Sequence, residues 1–166
     1  SAKLMAQPNT TNISREAEIV VRSVDNPIMS VKFTVRQPSD KNIIRYTTTD
    51  GNIFEPMSGA FNADIINNLY LDGVAIIEFQ NKLTAIHDKA FYIPYFNNLN
   101  SIVLPEGVES IGGAAFYQCS RLEDVTLPKS LRIIGESAFA ECKLLTDIVI
   151  PDGVQTIGDG AFLLCE

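Results

Sequence analysis

The residues best suited to chemistry are one histidine, three cysteines and a few acidic positions. His87 is the chain's only histidine, and a catalytic or metal-binding role would need converging partners that the sequence does not offer. Cys119, Cys142 and Cys165 form no Cys-x-x-Cys pair, so the ligand spacing of a zinc site is missing. We interpret His87 as a partly exposed turn residue and the cysteines as buried free thiols.

The acidic positions leave two readings open. Glu123-Asp124 and Asp147 could work as an acid and a base, or could hold calcium. The simpler interpretation is a solvated repeat surface, and we prefer it. No glycine-rich phosphate loop of the usual patterns occurs. The sequence therefore predicts no catalytic residue, no metal site and no cofactor.

A repeat of 23 residues organises the second half of the chain. Internal repeats of this length are typical of stacked architectures. The recurring positions are Pro105, Pro128 and Pro151; Ile111-Gly112, Ile134-Gly135 and Ile157-Gly158; Ala115-Phe116, Ala138-Phe139 and Ala161-Phe162; and the three cysteines. A worn first copy, with Ala90-Phe91, precedes them by 25 residues instead of 23.

Each repeated position has a physical reason. Ile102 and Leu104 alternate with Val103, so one face of a short strand should point inward. Pro105 lacks an amide hydrogen and should end that strand. The glycine that follows Ile111 should permit a backbone turn that a side chain would obstruct. The phenylalanines of successive copies should form one buried aromatic ladder. The cysteines should lie about 4.8 Å apart on successive coils, but with parallel side chains that oppose disulfide bonding.

With these positions in place, the unit from Leu122 to Cys142 resembles the BspA-type leucine-rich repeat. That repeat occurs in surface proteins of Bacteroides and related bacteria, in spirochaetes and in some protozoan parasites. The resemblance covers roughly residues 74–166, and the segment from Tyr46 to Gly73 also resembles one that often precedes such repeats. It implies cell-surface or secreted proteins that act in adhesion, and it implies no enzyme.

The predicted fold is mainly β: a right-handed leucine-rich-repeat β-solenoid with a small antiparallel N-terminal cap. Residues 1–15 are a polar lead-in, and residues 16–56 are the β-rich cap module. Strands are expected over 18–24, 31–36 and 42–49, the last ending at the turn signal Asp50-Gly51. The alternative for this module is a separate linker or immunoglobulin-like domain. Residues 57–73 are a connecting segment with spacing that favours a short helix, and residues 74–166 hold about four repeats.

Charge and exposure then locate the partner surface. Residues 46–166 carry six Lys/Arg against sixteen Asp/Glu, which disfavours nucleic acid, and no apolar run is long enough to span a membrane. Outward strand positions should form two stripes, and Ile76 begins one of them. The candidate partner-binding residues on these stripes are Glu78, Ser101, Val103, Asp124, Thr126, Asp147 and Val149. A second possibility is the aromatic group Tyr92, Tyr95 and Phe96, unless it packs against the cap.

The sequence therefore predicts a non-catalytic binding or adhesion module of a bacterial cell-surface or secreted protein. Its partner would be a protein or glycan on a host, on matrix or on a neighbouring cell. The last repeat ends without an altered terminal copy, so end-to-end self-association through it is a further possible contact. A structural stalk that displays another domain is the alternative function, and a glycan-active enzyme is the least favoured one.

Overall fold

The structure is a computed structural model, and it describes residues 15–22, 30–37, 42–71, 73–92 and 98–165. The chain divides into two compact units, residues 1–40 and residues 41–166. In the first unit, β1 (Arg15–Arg22) and β2 (Ser30–Gln37) pair antiparallel, with Val21 opposite Val31. The two strands lie close to where the sequence predicts them. The expected lead-in and the turn between the strands lie outside the described residues.

The second unit is mainly β and is built from stacked repeats, which we number one (74–98), two (99–121), three (122–144) and four (145–165). Its strands are β3 (Ile43–Thr48), β4 (Ile65–Leu71), β5 (Val74–Phe79), β6 (Ala85–Ile86), β7 (Leu99–Val103), β8 (Ser110–Ile111), β9 (Asp124–Thr126), β10 (Ile133–Ile134) and β11 (Thr156–Ile157). They form a four-stranded sheet and a five-stranded sheet.

The four-stranded sheet receives one short strand from each repeat, in the order β6, β8, β10, β11. All of its pairs are parallel, and Ile86, Ile111, Ile134 and Ile157 lie in one row across it. Since the same sequence position meets itself in every neighbour, the 23-residue period of the sequence becomes the stacking period of the structure.

The five-stranded sheet departs from that regular pattern, with the order β4-β5-β3-β7-β9. Strand β3 lies between the strands of repeats one and two and is antiparallel to both, with Arg45 opposite Ile76 on one side and Val103 on the other. We expected β3 to join β1 and β2 in a cap sheet, and that prediction is wrong. The turn at Asp50-Gly51 forms, with Gly51 at φ +72°, but the strand that follows it pairs with β5.

The described residues of the connecting segment, 57–71 and 73, contain no helix, so the helix expected from its spacing is a second wrong prediction. Residues 65–71 form β4 on the edge of the sheet, paired antiparallel with β5. Ile65, Ile66 and Leu69 are exposed, whereas an amphipathic helix would have buried its apolar stripe. The edge of β5 supplies hydrogen bonds along the full length of β4, and this pairing outweighs the weak local helical pattern.

A stack of turns around the Ala-Phe pairs forms a third side. Backbone amides of one repeat donate to carbonyls of the next, as from Ala114 to Glu136 at 2.8 Å and from Phe116 to Ala138 at 2.7 Å. Six residues that are not glycine adopt φ between 52° and 60° in these turns: Lys89, Ala114, Gln118, Ser137, Glu141 and Leu164. Gly160 takes the position of Ala114 in repeat four, with φ +61°.

The phenylalanines form the predicted ladder through the core. Phe116 is fully buried, and its ring stacks on Phe91 at 4.7 Å and on Phe139 at 4.9 Å between centroids. Phe162 continues the stack at 5.5 Å. At the other end Phe54 stacks on Phe91 at 5.1 Å and Phe61 meets it edge-on, so residues outside the repeats cover the first rung.

The repeated glycine stands where a side chain would obstruct the backbone, as the sequence predicts. A Cβ added to Gly135 would lie 2.6 Å from the backbone of Gly112, and one added to Gly158 would lie 2.4 Å from the backbone of Glu136. Neither glycine has a positive φ among the residues that the structure describes. The position therefore needs glycine because adjacent backbones approach closely, and not because of a special turn conformation.

Candidate interaction surface

Most of the predicted partner-binding residues are exposed, on β7 and β9 of the five-stranded sheet and on the segment 145–150 of repeat four, which forms no strand. Val103 is 40% exposed and Val149 is 78% exposed. Asp124, Thr126 and Asp147 are also exposed, and Ser101 is half-buried. Their inward neighbours Ile102 and Val125 pack in or against the core. We call the outward set Val103, Thr126, Val149, Asp124 and Asp147 the strand face.

Strand β3 adds residues to this side that the sequence analysis did not place there. Because directly paired residues on neighbouring strands point to the same side of a sheet, Arg45 lies between Ile76 and Val103 on the outer side. The hydroxyl groups of Thr47 and Ser101 are 2.7 Å apart. The alternation of side chains in residues 43–48 identifies Arg45 and Thr47 as outward positions. It does not identify the strand that lies beside them.

Glu78 does not belong to the exposed surface, so its prediction as a partner-binding residue is wrong. It is only 5% exposed, and its carboxylate accepts a hydrogen bond from Nδ2 of Asn67 at 2.8 Å. Ile76 is aligned with Val103 through Arg45, whereas the repeat alignment paired Ile76 with Ser101. The first strand is therefore shifted by two residues, and Glu78 lies opposite Asn67 of the edge strand β4.

A groove of about 660 Å³ lies at the end of the strand face, between repeats three and four. Thr126, Val149, Lys129, Pro151 and Asp152 are among the residues that line it. Its lining mixes aliphatic carbon with one basic and one acidic side chain. The groove therefore extends the strand face from a flat row of side chains into a concave surface.

His87 is the residue at which a catalytic or metal-binding role would be sought. Its Nδ1 lies 2.7 Å from the carbonyl oxygen of Gly59, and its ring is exposed. Within the described part of the chain no group of three or more His, Cys, Asp or Glu could hold a metal ion. The arrangement at His87 is that of a turn residue which tethers the segment before β4 to repeat one.

The cysteines are free thiols, buried at Cys119 and Cys142 and partly buried at Cys165. Each thiol points at the carbonyl of the phenylalanine one repeat earlier, at 3.7 Å for Cys119 and 3.2 Å for the other two. The contact with Cys119 and then burial raise the pKa of the Cys142 thiol, and burial raises the pKa of Cys165. Thiols of this kind are poor nucleophiles, because the reactive form is the thiolate.

No helix among the described residues is both long enough and apolar enough to cross a membrane.

Stacked parallel strands, an aromatic ladder and a 23-residue unit define a protein of the leucine-rich-repeat class. The model of the family described as "BspA type Leucine rich repeat region (6 copies)" matches residues 66–166. The chain belongs to this family. Its members are typically surface or secreted proteins. Such repeats are typically non-catalytic binding modules, and they suggest a role in protein interaction.

Three solved structures are similar to the chain. A leucine-rich repeat protein from Bacteroides ovatus is 30% identical over 61% of this chain and 24% of its own, with a TM-score of 0.48. One from Bacteroides capillosus is 35% identical over 57% and 64%, with a TM-score of 0.43. One from T. pallidum is 29% identical over 51% and 49%, with a TM-score of 0.39.

The chain thus spans less than two thirds of each of these proteins, and about a quarter of the first. No curated protein sequence matches it.

Proposed function

We propose that this chain is a non-catalytic adhesion module, a right-handed solenoid that binds a protein partner through the strand face. The observation that carries the proposal is the run of outward residues over repeats two to four. Val103 is paired with Thr126 and Ser101 with Asp124 on β7 and β9, and Val149 and Asp147 are the exposed residues at the equivalent positions of repeat four.

The composition of this face favours a partner with a basic rim around an apolar patch. The exposed valines supply apolar area, since burial stabilises a complex by about 25 cal/mol per Å². The aspartates supply charge, which governs partner orientation and association rate. Residues 46–166 carry an excess of ten acidic side chains over basic ones, so the wider field has the same sign.

The location and biological role that we propose follow from the family. Its typical members are surface or secreted, and we propose the same for this protein. Adhesion to a protein on a host, on matrix or on a neighbouring cell is then the function of the strand face. A glycan is the other ligand class that the experiment below separates from a protein.

The test is a binding screen of the chain against immobilised matrix proteins and glycans, repeated with a doubly charge-reversed variant, Asp124→Lys with Asp147→Lys. We expect binding to a protein, weakened about tenfold or more by the double reversal because like charges then face each other. Glu136→Lys is the matched control, since Glu136 is an exposed acid outside the strand face. Equal affinity for wild type and the double variant would refute the strand-face site, and binding to glycans alone would refute a protein partner.

End-to-end self-association stays a prediction. Ile157 and Leu164 of repeat four are about half exposed and would be buried in such a contact. Light scattering over a concentration series, with Ile157→Asp as the variant, tests it. A constant monomer mass for wild type would exclude it.

A further inference from the structure

The outer surface of the turn stack carries its own row of side chains, one from each repeat. We call it the outer turn row: Tyr92, Tyr117, Ala140 and Leu163. Each member directly follows the ladder phenylalanine of its repeat. The rings of Tyr92 and Tyr117 lie 5.5 Å apart with an interplanar angle of 37°, so they occupy adjacent rungs as the ladder does inside.

At Ala140 the row has a small side chain between the larger ones of Tyr117 and Leu163. With about 4.8 Å between successive strands, the levels of Tyr117 and Leu163 are about 10 Å apart, which leaves room for one planar group between them. A groove of about 370 Å³ opens here, with Tyr92 and Tyr117 at one end and Leu163 at the other. Ala140 is buried and forms part of the floor.

A carboxylate is held at the wall of this groove. The hydroxyl of Tyr117 donates to Oε1 of Glu141 at 2.7 Å, and Nε2 of Gln118 donates to Oε2 at 3.1 Å. The hydrogen bond from Tyr117, followed by that from Gln118, lowers the pKa of Glu141. The same hydrogen bond raises the pKa of Tyr117, so Glu141 is an anion and Tyr117 a neutral phenol at physiological pH.

The polar groups bonded to Glu141 leave its carboxylate open to a ligand that donates hydrogen bonds. The hydroxyl of Tyr117 and the amide of Gln118 are both directed at Glu141. A carboxylate offers about four lone-pair directions, and these two contacts use two of them. The groove thus offers acceptor sites on Glu141 beside the face of an aromatic ring.

We propose that this groove binds an arginine side chain of a protein partner, stacked on Tyr117 and hydrogen-bonded to Glu141. A guanidinium group is planar, always charged, and carries five donors and no acceptor. It stacks on aromatic faces and pairs with carboxylates through two parallel hydrogen bonds. The single open rung above Ala140 accommodates one such plane.

The surrounding charges make the proposal selective. Lys89 lies at the tyrosine end of the groove, and Lys143 is close enough to act on Glu141. Simple attraction of any cation is therefore weakened here. A compact ammonium group gains little from the ring face and cannot bond to the carboxylate through a planar fork. Arginine should be preferred over lysine for this geometric reason.

The experiment is a titration of the ¹⁵N-labelled full chain with blocked arginine amide, blocked lysine amide and maltotriose, followed by the backbone amide shifts of Gln118, Ala140 and Glu141. We expect saturable shifts with arginine amide at a Kd on the order of millimolar, as one side chain can provide. Lysine amide should bind at least about tenfold more weakly. Equal responses to arginine and lysine, or a response to maltotriose alone, would overturn the proposal.

Two variants and one control complete the test. Glu141→Gln keeps the size of the side chain and its ability to accept from Tyr117, and it should weaken arginine binding about tenfold. Ala140→Tyr should fill the open rung and abolish binding. Asp147→Asn removes one negative charge from the strand face and should change the Kd by less than about twofold. An unchanged Kd in Glu141→Gln would refute the site, whatever the result for the strand face.

Discussion

The phenylalanine ladder gives the sharpest stability prediction, which compares an inner rung with an outer one. Phe116 is fully buried between two stacked rings, whereas Phe162 is partly buried and stacks on one ring alone among the described residues. We predict that Phe116→Ala lowers the free energy of unfolding by clearly more than Phe162→Ala. The chemistry of the two substitutions is the same, so the difference measures stacking and burial.

The magnitudes follow from the contacts. Removing a fully buried phenylalanine side chain loses about 2–3 kcal/mol of burial, and two ring pairs add about 0.5–1.5 kcal/mol each. With the cavity left behind, Phe116→Ala should cost about 4–5 kcal/mol. Phe162→Ala, with less burial and one ring pair, should cost about 2 kcal/mol.

Urea unfolding followed by far-ultraviolet circular dichroism measures both values. The chain contains no tryptophan and five tyrosines, so tyrosine emission provides a second probe. If Phe116→Ala is too unstable to give a folded baseline, Phe116→Leu keeps most of the volume and should cost about 1–2 kcal/mol. Equal costs for Phe116→Ala and Phe162→Ala, or a cost below about 1 kcal/mol for the inner rung, would refute the argument.

Three further predictions test the close backbone approach, the turns and the thiols. Gly135→Ala should cost about 1–3 kcal/mol because its Cβ would meet the backbone of the previous repeat. Gly113→Ala is the matched control, since the nearest atom to its Cβ would be 3.6 Å away. Thermal unfolding should show little change or a small gain in its stability. Equal losses of stability in the two variants would contradict the packing argument. Ala114→Gly should raise the free energy of unfolding by about 0.5–1 kcal/mol, because it relieves a left-handed backbone, and a loss in the same assay would count against strain there. Burial raises the pKa of Cys165, so its alkylation in native protein should be slower than that of a free thiol at pH 8. The rate should still be increasing with pH at pH 9. Cys142 should react only on unfolding, and native labelling of Cys142 at the rate of Cys165, seen by peptide mass spectrometry, would contradict the buried-thiol assignment.

The sequence by itself determined the repeating unit and its core. Phe91, Phe116, Phe139 and Phe162 recur at nearly constant spacing, and each occupies the same place in a chain segment that contacts mainly its neighbours. One correct assignment therefore predicted the whole ladder. The buried thiols and the outward position of Asp124 followed from the same local rule, because alternation along a short strand separates inside from outside.

The tertiary structure alone decided where β3 goes. Ile44 and Tyr46 are plainly inward residues of a strand in the sequence, but any exposed strand edge can accept such a strand. The repeat pattern predicts that β5 and β7 pair with each other, as β6 and β8 do in the other sheet. Pairing with both edges satisfies the backbone hydrogen bonds on both sides of β3.

That one insertion has consequences for the candidate site. It shifts the strand of repeat one by two residues and brings Arg45 to the outer surface between Ile76 and Val103. The open rung above Ala140 was equally hidden, since a groove exists only when the side chains of three successive repeats are placed together. A repeat specifies its own interior because the contacts there are made by one position with itself. It does not specify what a segment outside the repeats will pair with, because hydrogen bonding along a strand edge is nearly independent of side-chain identity.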